Sequence, residues 1–134
     1  QEGMYNFGIN LGLAFQLQDD FLDTFGDYNF VGKKTGGDIL ENKKTVLFHL
    51  AKKNANKKQI DELHELYDSK KLNSDLKIKK TTTLFKQTKA DIDTLKLVNQ
   101  YTKKAIDSLN NLSINKNIKN EFIAVANNLM KRDL

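Results

Sequence analysis

Three carboxylates, Asp19, Asp20 and Asp23, interrupt an otherwise largely apolar stretch, Phe15-Gln16-Leu17-Gln18-Asp19-Asp20-Phe21-Leu22-Asp23. Around them Met4, Tyr5, Phe7, Ile9, Leu11, Leu13, Ala14, Phe15, Leu17, Phe21, Leu22 and Phe25 occupy almost every side of a helix. That distribution predicts a helix running through a protein interior rather than over its surface. Carboxylates at the end of such a helix need compensating charge or hydrogen bonds. On a helix, Asp19 and Asp23 stand one turn apart, about 6 Å along the axis and on one face, whereas Asp20 is turned about 100° away. Oxygen-only ligands at this spacing suit a hard divalent ion such as Mg²⁺, which takes one or two carboxylates and fills its other positions with water and substrate phosphate. On these three residues alone the plainer reading, solvated acids near a helix end, stays open.

The segment that follows adds a second kind of chemistry. Residues 31–45, Val-Gly-Lys-Lys-Thr-Gly-Gly-Asp-Ile-Leu-Glu-Asn-Lys-Lys-Thr, carry three glycines and four lysines. Gly32, Gly36 and Gly37 permit close backbone approach, and Lys33 and Lys43 offer point charges that pair with phosphate. An acidic patch followed by a basic glycine loop meets the needs of a diphosphate–metal site, because the ion neutralises the ligand and the lysines hold the oxygens that the ion leaves.

Together these residues resemble the second aspartate-rich motif of the trans-isoprenyl diphosphate synthases, or polyprenyl synthetases. Phe15-Gln16-Leu17-Gln18-Asp19-Asp20-Phe21-Leu22-Asp23 resembles the motif itself, and Gly8 and Gly12 the small residues before it. Gly32-Lys33 resembles its Gly-Lys dipeptide, and Gly37-Asp38 with Lys43 and Thr45 its Gly-x-Asp and Lys-x-Thr segment. The resemblance implies an all-α fold of the isoprenoid-synthase kind. It implies Mg²⁺ as cofactor, held by Asp19 with Asp23, with Asp20 and Asp38 as further metal candidates; Asp38 reads equally as a cap on the following backbone. It implies an allylic diphosphate and isopentenyl diphosphate as substrates, condensed head to tail. Lys33 and Lys43 would bind diphosphate, Gln16 would face the allylic substrate near the reacting carbon, and Phe15 would border the hydrocarbon channel or simply pack. A homodimeric, cytoplasmic enzyme is the corresponding expectation.

The first aspartate-rich motif of that family and its isopentenyl diphosphate-binding basic residues do not occur in the 134 residues. The expectation is therefore that residues 1–134 form the C-terminal half of one helical domain, inactive and prone to self-association when alone, with the N-terminal half as its missing partner. Two other classes remain: a catalytically silent subunit of a heteromeric synthase, and a terpene cyclase of similar fold. The extended acidic motif and the Gly-Lys loop favour the chain elongator.

Composition agrees with helices. There is no proline, which favours uninterrupted helical runs. Without cysteine there is neither a disulfide framework nor a thiolate metal site, in keeping with a reducing cytoplasm. The longest apolar stretch, Met4 to Leu17, contains Asn6 and Asn10 and is too short to span a membrane. The net charge of +5 comes wholly from residues 51–134, where 18 Lys or Arg face 10 acids. Those lysines are interspersed with Asp, Glu and Asn as on solvated helix faces, with few aromatic residues for base stacking, so nucleic acid is not an expected partner.

Periodicity predicts six helices: about 2–27, 43–53, 59–70, 74–86, 89–112 and 116–131, with a loop over 28–38 and Ser74 or Asp75 as a cap. Ile92, Leu95, Val98, Ala105, Leu109 and Leu112 make one predicted apolar stripe; Ile118, Phe122, Val125, Ala126 and Leu129 make another. His49 and His64 read as packed or surface histidines, and Tyr101 as structural.

Overall fold

A computed structural model describes residues 2–26, 35–68 and 72–131. Seven helices are present among the described residues, and no strand. They are α1 (Glu2–Phe25), α2 (Gly37–Leu40), α3 (Val46–Asn54), α4 (Lys57–Asp68), α5 (Ser74–Gln87), α6 (Ala90–Asn110) and α7 (Lys116–Met130). The all-α expectation holds. The sequence reading omitted α2, a helix of four residues, because so short a helix has no periodicity to detect.

Side-chain caps set the starts of α4, α5 and α7. Asn73, rather than Ser74 or Asp75, caps α5 and accepts from the Asp75 and Leu76 amides at 2.8 and 3.3 Å. Asn115 does the same for α7 through the Asn117 amide at 2.7 Å. Before α4, Asn56 and Gln59 exchange reciprocal bonds of 3.0 and 2.9 Å, a capping box that satisfies two amides at once. Each cap supplies an acceptor to an N–H that has no partner within its helix.

The chain forms two compact units, with α1 and α6 contributing to both. The first takes residues 2–19 and 96–131 among those described. Its core is Phe7, Ala105, Leu109 and Ala126, with Met4, Leu11, Leu112, Phe122 and Ile123 packed around it. Phe7 meets Phe122 edge to face at 5.8 Å. Gly3 allows α1 to approach Leu112, since a Cβ there would lie 2.2 Å from the leucine side chain.

The buried amide of α1 is Gln18, not Gln16. Gln18 is fully buried and donates from Nε2 to the Met130 carbonyl at 2.9 Å, satisfying one of the last carbonyls of α7. Gln16 is exposed. Nor is α1 covered on every side by the chain, for Tyr5, Ile9 and Leu13 are exposed while Phe7 and Ala14 are buried. In α7 only Ala126 is buried, and Ile118, Val125 and Leu129 are exposed. Ile92 is exposed too, because α6 turns Ala90, Thr94 and Val98 inward instead.

The second unit, residues 20–26, 35–68 and 72–95 among those described, is organised on α5. This helix packs against α2, α3 and α4. The core joins Ile39, Leu47, Phe48, Ala51, Leu63, Leu66, Leu84 and Phe85. His49 and His64 both stand against the Phe48 ring, at 5.5 and 6.4 Å between centroids, His49 exposed and His64 half-buried.

A urea titration of two variants tests the Gln18 assignment. Gln18→Leu leaves the Met130 carbonyl without its donor and lowers stability by about 1–2 kcal/mol, whereas Gln100→Leu, at an exposed position of α6, changes it by less than about 0.5 kcal/mol. Equal losses at both positions would contradict the assignment.

Candidate functional site

Of the acids predicted to do chemistry, Asp19, Asp20 and Asp23 lie on α1 near its C-terminus and Asp38 lies on α2. Asp19 and Asp20 are partly buried and Asp23 is buried, with 4% of its surface exposed. The i, i+4 relation of Asp19 and Asp23 follows from α1 being one continuous helix. Phe15 is partly buried.

Asp23 is tied into the glycine turn. Its carboxylate Oδ2 accepts from the Asp38 backbone N–H at 2.8 Å, and its backbone carbonyl accepts from the Gly36 N–H at 2.6 Å. Gly36 precedes α2 and has no side chain with which to cap it, so the Asp23 carboxylate takes over the capping role from a distant part of the chain. Only glycine suits position 36. Its φ of +93° lies in the left-handed region, and a Cβ would stand 2.6 Å from Ile78 Cδ1.

The turn in turn presents Asp38 and Lys43. The Lys43 N–H donates to the Asp38 carbonyl at 2.9 Å, and its Nζ lies 4.0 Å from Asp38 Oδ1. Asp38 is largely shielded, with 17% of its side chain exposed, against 54% for Lys43. An exposed ion pair of this length contributes little stability, so the Lys43 ammonium is available to an anion that outbids a single carboxylate. Asp23, Asp38 and Lys43 are thus brought together. The expected diphosphate ligand Lys33, its neighbour Lys34 and Gly32 lie outside the described residues.

Sequence reasoning passed over the buried polar groups behind this turn. Lys77 of α5 is 6% exposed, donates to Asn42 Oδ1, and stands 5.9 Å from the centroid of the Tyr67 ring. Burial first, and the Asp38 charge second, push the Tyr67 hydroxyl well above the usual phenol range. The signal for Lys77 was its phase, because it falls one turn before Thr81 and two before Leu84 and Phe85 on the buried face of α5.

Among the described residues no three His, Cys, Asp or Glu side chains gather to hold a metal. The donor set near the end of α1 is nonetheless all oxygen, and an ion held by one or two such carboxylates would complete its sphere with water and phosphate, which is the habit of Mg²⁺ rather than of zinc. A carboxylate has about four lone-pair sites, so one bond to a backbone amide does not exhaust Asp23 as a ligand. A cavity of about 810 Å³ between α4 and α5, bordered by Glu62, Leu66, Leu76, Lys79 and Thr83, touches none of the predicted site residues.

A family model described as polyprenyl synthetase matches residues 1–85. The chain is 35% identical over 114 residues to a geranylgeranyl diphosphate synthase of Sulfolobus acidocaldarius, covering 82% of this chain and 33% of that one. It is 50% identical over 62 residues to a farnesyl pyrophosphate synthase of Kluyveromyces lactis, covering 46% of this chain and 18% of the other. Among solved structures, a geranylgeranyl pyrophosphate synthase superposes with a TM-score of 0.89 at 38% identity, covering all of this chain and 42% of that one. The geranylgeranyl pyrophosphate synthase of Corynebacterium glutamicum, complexed with isoprenyl diphosphate and magnesium, gives 0.85 at 28% identity, with 98% and 37% covered. The chain therefore spans well under half the length of each.

The tie between Asp23 and the Asp38 amide yields a stability difference within α1. Asp23→Ala removes the cap of α2 and costs about 0.5–2 kcal/mol in thermal or chemical unfolding. Asp23→Asn, which retains an acceptor oxygen, recovers most of that. No loss on Asp23→Ala would show that the capping bond carries no stability.

Proposed function

The chain belongs to the polyprenyl synthetase family, and from that premise we propose that it supplies the metal- and diphosphate-binding wall of a trans-prenyltransferase joining an allylic diphosphate to isopentenyl diphosphate. One observation carries the reading: the 2.8 Å bond from the Asp38 amide to Asp23, which fastens the acid-bearing end of α1 to a turn holding Asp38 and Lys43. Within the second unit an acid for a cation and a base for phosphate are thereby tied through one turn. The complete activity, in this reading, belongs to a synthase of the relatives' length.

Asp19 and Asp23 would hold Mg²⁺, with Asp20 and Asp38 orienting water around it. When bound, Mg²⁺ supplies charge neutralisation to the diphosphate that leaves the allylic carbon. Lys43, and Lys33 by its place in the family pattern, add positive charge at the same oxygens, where negative charge grows as the carbon–oxygen bond breaks. The allylic carbon then bonds to isopentenyl diphosphate, and a proton is lost from the new carbon skeleton. Gln16, exposed on α1, is the polar group assigned to the region of the reacting carbon, and Phe15 to the border of the hydrocarbon. The acids carry no proton in this scheme. Their contribution is fixed charge at fixed positions, which needs no reorganisation during reaction.

A condensation assay with radiolabelled isopentenyl diphosphate, on the protein at its full natural length, tests the reading. Turnover requires Mg²⁺ and vanishes with chelator, and Asp19→Ala lowers it by about two orders of magnitude or more while the variant stays folded. Near-normal turnover in folded Asp19→Ala would sink the metal assignment.

The two adjacent lysines supply a separate comparison. Lys33→Ala raises the KM for the allylic diphosphate or depresses kcat by about tenfold or more, and Lys34→Ala leaves both within about twofold. Equal losses at both positions would mean that the segment acts through general basicity, against a specific role for Lys33.

A further inference from the structure

Lys77 is the buried cation that neither the fold nor the proposed reaction explains. It sits on the face of α5 that also buries Thr81, Leu84, Phe85 and Thr88. A lysine at such a position is unusual, because burial removes water from its ammonium and the lost hydration must be replaced by named partners. Two partners are present: the Asn42 side-chain oxygen, which accepts a hydrogen bond from the ammonium, and the face of the Tyr67 ring.

Asn42 is the residue through which Lys77 reaches the site. It adopts a left-handed conformation, φ 56°, directly after Glu41, the residue that caps the C-terminus of α2. The chain reverses there. The Asn42 N–H donates to the Ile39 carbonyl at 3.0 Å, and the next residue, Lys43, donates to the Asp38 carbonyl at 2.9 Å. A left-handed residue at this place determines which way Lys43 leaves the turn, and asparagine tolerates that conformation without requiring it. Asp23 fixes the start of α2; Lys77 holds its end.

We infer that Lys77 is a positioning residue for anion binding: through Asn42 it locks the left-handed residue after α2, so that Lys43 and Asp38 keep the arrangement that receives a diphosphate. The inference rests on the reading of the site given above. Lys77 itself is shielded and makes no contact with the ligand. Because Asn42 is exposed, water can replace the Lys77 proton when the lysine is removed, and exchanging a buried charge for an apolar chain of similar length is often neutral or stabilising. Lys77→Met should therefore separate binding from stability.

The test is calorimetric titration of the full natural-length protein with inorganic pyrophosphate in Mg²⁺, accompanied by melting curves and by amide hydrogen exchange at Lys43. Lys77→Met weakens pyrophosphate binding by about tenfold, equivalent to about 1.4 kcal/mol, without lowering Tm, and Lys77→Arg restores most of the binding. Asn42→Gly, which keeps the left-handed backbone accessible but loses the acceptor, weakens binding similarly. The double variant loses no more than either single one, the signature of two residues acting in series. Wild-type affinity in folded Lys77→Met would overturn the inference. Additive losses would overturn it as well, by showing that Lys77 acts on the anion independently of Asn42. If Lys77→Met fails to fold, Asn42→Gly decides, and wild-type affinity there is again a refutation. Failure of the unaltered protein to bind pyrophosphate would instead remove the underlying reading of the site. In that event hydrogen exchange judges Lys77 alone, with faster exchange of the Lys43 amide in Lys77→Met supporting the lock and an unchanged rate refuting it.

Discussion

A buried carboxylate must be answered by donors, and the Asp23 carboxylate finds one in the backbone of the glycine turn. That constraint organises the second unit. Four residues of helix cannot sustain themselves, since nucleation fixes several dihedral angles for a single hydrogen bond. The helix Gly37–Leu40 exists because Asp23 caps its first turn, Ile39 anchors it in the core, and Gly36 admits Ile78 against its backbone. Remove the carboxylate and the turn keeps the Gly36 bond to the Asp23 carbonyl but loses the cap of α2.

The same tie creates a tension at Asp23. One oxygen engages a peptide N–H, which draws the carboxylate toward a structural role, while the helix geometry it shares with Asp19 suits a cation. In the proposed function the two roles would be compatible, because a carboxylate accepts several bonds and a ligand already held by the backbone needs less ordering when an ion arrives. In the proposed function, the exposed Lys43 ammonium beside the shielded Asp38 would extend this arrangement from cation to anion. Charges of both signs are then presented by one short turn.

In the first unit the decisive polar contact is Gln18 to the Met130 carbonyl, which joins the middle of the chain's first helix to the end of its last. The apolar contacts around it are modest, centred on Phe7, Ala105, Leu109 and Ala126. Tyr5, Ile9 and Leu13 lie exposed on α1, so the apolar character that the helix shows on nearly every side exceeds what these residues cover. The chain spans a third of the Sulfolobus acidocaldarius synthase and 42% of the solved geranylgeranyl pyrophosphate synthase.

The amino-acid sequence by itself determined the helical class, the positions of five long helices and their neighbour Val46–Asn54 to within a few residues, and the acidic and glycine–lysine segments that identify the family. These are properties of order along the chain: period, absence of proline, and short-range spacing. Tertiary structure alone decided that Asp23 caps a helix fifteen residues away, that Gln18 rather than Gln16 is the buried amide, and that Lys77 faces inward to Asn42 and Tyr67. Apolar residues surround α1 too evenly for periodicity to choose its inner face, and whether a polar side chain is buried depends on a partner brought from elsewhere. Position along the chain carries the chemistry available at each residue, but the choice among its possible partners is made only where separate segments meet.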